Sequence, residues 1–112
     1  MSSDLTNRTR RLLALIGDEV IKAQILRIFE TKAALYGPPT VAVLERVRFS
    51  VIKLAMQHPH GIKLAENLYS ADTRDLLVNA EFATDLEAHE KWCEVMLQGS
   101  EKFEAENNLK GN

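Results

Sequence analysis

The chain has 112 residues, 46% of them hydrophobic and 27% charged, with a formal net charge of −2 and a single cysteine. That length suits one domain with one core, and the composition excludes disorder across most of the chain. The charge balance excludes a global attraction to nucleic acid or anionic membrane, lone Cys93 excludes an internal disulfide, and no apolar run approaches the roughly 20 residues of a membrane span.

MSSDLTNRTRR lacks the apolar stretch of a secretory signal, so the chain reads as cytoplasmic. Leu5 to Ile16 predicts a short leading helix. Gly17 and Asp18 either end it or lie within one longer helix at a cost of about 1 kcal/mol, and the reading leans to continuity or a kink. Asp18 to Tyr36 follows as a helix with apolar residues on two sides. Ile21, Ile25, Ile28 and Leu35 form one stripe; Leu26, Phe29, Ala33 and Tyr36 form the other. A helix that is oily nearly all round must be covered nearly all round, which in a chain this short predicts help from a second copy.

Gly37, Pro38 and Pro39 stop that helix. The next, Thr40 to Gln57, carries Leu44, Val47, Val51, Leu54 and Ala55 at helical spacing and ends at His58, Pro59, His60 and Gly61. A short helix between Gly61 and Ser70 packs through Ile62, Ala65, Leu68 and Tyr69. Asp72, with Asp75 three residues on, predicts the cap of a long final helix running to Gln98 along Val78, Phe82, Leu86, His89, Cys93 and Met96. Gly99 stops it, and residues 100–112 form a weakly ordered tail. The expected fold is all-α: one domain over residues 1–112, a bundle of four to five helices, dimeric.

His89 and Cys93, four apart on one helical face and continued upstream by Asp85, are the candidate metal ligands, with His58 or His60 able to complete a tetrahedral set. One thiol without a CxxC pair gives zinc little to announce itself by, and both residues also fit an ordinary packed stripe. Cys93 as a nucleophile with His89 as its base fails on position: it sits mid-helix among Glu87, Glu90 and Glu94, which oppose a thiolate. No enzyme activity, cofactor or resident metal is expected.

Arg8, Arg10 and Arg11 form the one basic cluster, and a helix-turn-helix can be sought between Gly61 and Ala80 with Thr73 and Arg74 as readers of DNA. The aspartates beside Arg74 oppose that use. Arg46, Arg48 and Lys53 do not extend the basic cluster into a row. The favoured expectation is a cytoplasmic protein-interaction or regulatory module acting as a homodimer, which docks another protein on the apolar anchors Phe29, Tyr36, Phe82 and Trp92. A dimeric DNA-binding regulator is the alternative, followed by a metal- or small-ligand-binding bundle. No membrane partner is expected.

Overall fold

The computed structural model describes residues 5–35, 40–58, 60–82 and 87–98, which form six helices and no strand among them. They are α1 (Asn7–Ala14), α2 (Glu19–Glu30), α3 (Val41–Gln57), α4 (Gly61–Ala71), α5 (Thr73–Asn79) and α6 (88–98). None is long and apolar enough to cross a membrane. The all-α expectation holds, and the number exceeds the expected four to five because the chain is broken at Gly17 and again near residue 80.

The first break falls at Gly17. Thr6 caps α1 by accepting from the Thr9 N–H, and the helix unwinds through tighter bonds from Leu15 to Leu12 and from Ile16 to Leu13. Asp18 then adopts an extended conformation and accepts from the Val20 and Ile21 N–H groups, starting α2 afresh. Continuity through Gly17 is therefore corrected: an aspartate cap satisfies two donors that a continuous helix would direct to carbonyls.

α2 also ends at Glu30, six residues short of the predicted Tyr36. The Thr31 backbone turns extended, and its hydroxyl donates to the Ile28 carbonyl at 2.6 Å. Residues 32–35 leave the helix to bond across the fold, where the Ala34 N–H donates to Tyr69 and the Ala34 carbonyl accepts the Thr73 hydroxyl. Tyr36 lies outside the described residues. The two-stripe argument changes with this. Phe29 is buried, its ring 6.2 Å from that of Tyr69 and under the Arg48 guanidinium, while Leu26 and Ala33 are half-buried. Of the described members of the second stripe, Phe29 is enclosed by α3 and α4 of the same chain, while Leu26 and Ala33 are only half-covered.

The helix closed in on every side is α3. From Val47 to Leu54 every side chain is buried, as is Glu45. The other helices pack around it, so it forms the axis of the core together with Leu12, Ile25, Ile28, Tyr69, Leu76 and Phe82. At its end, α4 starts so close that a Cβ on Gly61 would run into the Leu54 carbonyl, which makes glycine obligatory there.

The second break corrects the long final helix. Asp72 ends α4 and caps α5, accepting from the Arg74 and Asp75 N–H groups. Only seven residues later α5 closes in a Schellman motif, in which the Phe82 N–H donates to Leu77, the Glu81 N–H donates to Val78, and Glu81 sits at φ 67°. Phe82 closes over the apolar side, as such motifs favour. Two cations of α3 then hold the turn: Lys53 donates to the Ala80 carbonyl at 2.6 Å and Arg46 to the Phe82 carbonyl at 3.0 Å. A sequence scan for Gly or Pro misses this stop because a glutamate fills the left-handed position.

Candidate functional site

α3, α1 and α6 bring four charged or titratable side chains to one place. Arg8, near the start of α1, donates to Glu45 on α3 and to both carboxylate oxygens of Glu90 on α6, the Glu90 Oε1 contact being 2.9 Å. His89 lies beside them, its Nε2 3.3 Å from Glu90 Oε1. Glu45 and His89 are buried and Glu90 is half-exposed. Ligand-capable atoms of Glu45, His89 and Glu90 all lie within 4.8 Å of one another, the one such cluster among the described residues.

The arrangement sets the protonation of each group. Hydrogen bonding to Glu90, reinforced by Glu45 against the cost of burial, raises the Arg8 guanidinium well above its ordinary value, so it is a permanent cation here. The same hydrogen bond holds the Glu90 carboxyl below the usual carboxylate range. Burial pushes the His89 imidazole down; Glu90 opposes this, while Arg46 and Arg8 add to it. His89 is therefore a neutral imidazole, and its Nδ1 is buried without a hydrogen-bond partner.

An aromatic wall backs the cluster. Phe49 and Phe82 flank both His89 and Trp92, with centroid separations between 5.9 and 6.3 Å, and the Arg8 guanidinium lies 5.5 Å from the Phe49 centroid. Trp92 is half-buried and spends its face inside the chain. Phe29 and Phe82, the other described anchors, are core residues with almost no surface.

Cys93 is buried one turn beyond His89, and burial raises its thiol above the ordinary range, the state of a small hydrophobe and not of a nucleophile. It does not share the three-residue cluster, and Asp85 lies outside the described residues. His58 and His60 are exposed and stand apart from it. The acidic partners of His89 are instead Glu45, forty-four positions earlier, and Glu90, its own neighbour. Helical spacing signals neither, since one requires tertiary contact and the other is adjacent in sequence.

The DNA-reading candidates are dispersed in their roles. Arg8 is committed to Glu45 and Glu90, Arg10 is exposed, and Arg11 is half-buried with partners of its own. Thr73 is buried and gives its hydroxyl to Ala34 at 2.6 Å, whereas Arg74 is exposed at the first turn of α5. That turn also borders an open recess of about 460 Å³ between α3 and α5, lined by Arg46, Arg74, Asp75, Leu77 and Val78. No protein-family model, curated protein or solved structure matches the chain.

Proposed function

We propose that the chain is a cytoplasmic interaction or regulatory module without chemistry of its own, and that it works as a homodimer joined through the recess between α3 and α5. The observation that carries this reading is the make-up of that recess. Val78 is 59% exposed on its rim, with Leu77 beside it and Arg74 and Asp75 at the edge. A two-fold axis pairs a patch with itself, so an apolar centre that carries charges of both signs at its edge is self-complementary. The valines then lose their water together.

Light scattering over a wide concentration series tests the reading. The wild type is expected to run as a dimer and Val78→Glu as a folded monomer. Asp75→Arg, which removes the acidic member of the recess edge, should weaken the dimer. A wild type that stays monomeric at every concentration, or a Val78→Glu dimer as tight as the wild type, removes the proposal.

A further inference from the structure

We propose that Glu45, His89 and Glu90 form a binding site for one divalent transition-metal ion of the zinc type, with Arg8 as the competing cation that occupies their carboxylates when no ion is bound. The three residues come from α3 and α6 and converge within 4.8 Å. Zinc holds its nitrogen and oxygen ligands at about 2.0–2.1 Å, which places neighbouring ligand atoms of a tetrahedron about 3.3 Å apart. The cluster must therefore tighten by up to about 1.5 Å, and the half-exposed Glu90 side chain has the freedom to do so.

Three observations favour an ion over a merely structural ion pair. His89 is more than nine-tenths buried, turns one ring nitrogen toward the carboxylates and leaves the other without a hydrogen bond. No partner at Nδ1 fixes the tautomer, so the ring proton can sit there and free the Nε2 lone pair for an ion, at the cost of an unpaired N–H. Two carboxylates face one guanidinium, that of Arg8, with Arg46 acting on the cluster from farther off, and a divalent ion in place of the Arg8 guanidinium would balance both carboxylates directly. Finally, the Arg8 side chain is 34% exposed, on the outermost turn of α1, so it can withdraw into water without breaking backbone structure. One imidazole and two carboxylates suit Zn²⁺, Co²⁺, Mn²⁺ or Fe²⁺ better than calcium, which seeks six or more oxygens, and three protein ligands leave a coordination position open.

The inference is independent of the homodimer and is tested on the full chain after chelator treatment, by titration with Co²⁺ followed by absorption and calorimetry. One ion per chain is expected. Glu90→Gln, at a half-exposed position that preserves the fold, and His89→Gln should each weaken binding by about a hundredfold or more, beyond the usual loss from an outer-shell partner. Arg8→Met should tighten binding by about tenfold, since it deletes the competitor; a variant that merely damaged the fold would weaken it. A His58→Ala, His60→Ala double variant should bind as the wild type does. Absence of binding by both wild type and Arg8→Met at millimolar Co²⁺ overturns the proposal, as does equal binding by wild type and Glu90→Gln.

Discussion

Glu81→Gly should stabilise this protein, although it removes a side chain and an ion pair. Glu81 holds φ 67° because the Schellman closure of α5 needs a left-handed residue there. A residue with a Cβ pays about 1–2 kcal/mol for that conformation. Glycine relieves the strain but adds unfolded-state freedom worth about 0.5–1 kcal/mol. The lost ion pair with Lys53 spans 3.4 Å to a carboxylate side chain that is 84% exposed, and such pairs contribute about 0–0.5 kcal/mol. Lys53 keeps its shorter bond to the Ala80 carbonyl, so no buried charge is orphaned. The net expectation is a gain of about 0.5 kcal/mol, or roughly 2–4 °C in Tm for a domain of this size. Glu81→Ala loses the same ion pair and keeps the strain, so it should fall about 1 kcal/mol below the glycine variant. Thermal and urea unfolding by circular dichroism would measure both, with an unchanged urea slope showing that the native fold is retained. A glycine variant no more stable than the alanine variant would refute the account of this turn.

Gly61→Ala should cost about 1–3 kcal/mol by overpacking, because the new methyl group meets the Leu54 backbone and not a movable side chain; a urea midpoint equal to that of the wild type contradicts this. Thr73→Val should cost about 1–2 kcal/mol, since the Ala34 carbonyl loses its 2.6 Å hydroxyl partner in a part-buried site, again read from the urea midpoint. Stability should fall on acidification in two stages. His89 binds its proton less readily in the folded chain than its ordinary value of 6.5, so the unfolded state takes up a proton first as pH drops below about 6.5. Glu90 is likewise depressed from 4.5, and its contribution, present above that value, is lost as pH falls below it. Urea midpoints across pH should show His89→Gln flattening the first stage alone, and a wild type that gains stability between pH 7 and pH 5.5 contradicts the sign.

The sequence made the helices legible and their breaks much less so. Asp18 and Asp72 are caps that chemistry identifies, yet Gly17 looked tolerable inside a helix because a cap and a mid-helix aspartate are the same letter. Glu81 carries no local mark of a stop: Arg46 and Lys53, about thirty residues away, hold the turn it makes. The same distance hid the centre of the core. Four charged residues on α3, Glu45, Arg46, Arg48 and Lys53, give no local sign of burial, because each finds its partner only after α1, α2 or the turn at 80–82 has docked. The two apolar stripes of residues 18–36 point instead to α2 as the helix covered all round. Of the candidate cluster, His89 was visible and its two carboxylates were not.

The charges buried along α3 have a consequence for how it seats. Beyond the stripe of Val47, Val51 and Leu54, α3 also buries Phe49 and Ile52 on its other sides, so apolar surface alone marks its inward face less sharply than in an amphipathic helix. Lys53 and Glu45 remove that ambiguity. Only one rotation about the axis, and one position along it, sets the ammonium on the Ala80 carbonyl while the carboxylate meets Arg8, and every other seating strands an ion away from water. The apolar residues supply cohesion and part of the direction; the ions act as keys that admit a single orientation.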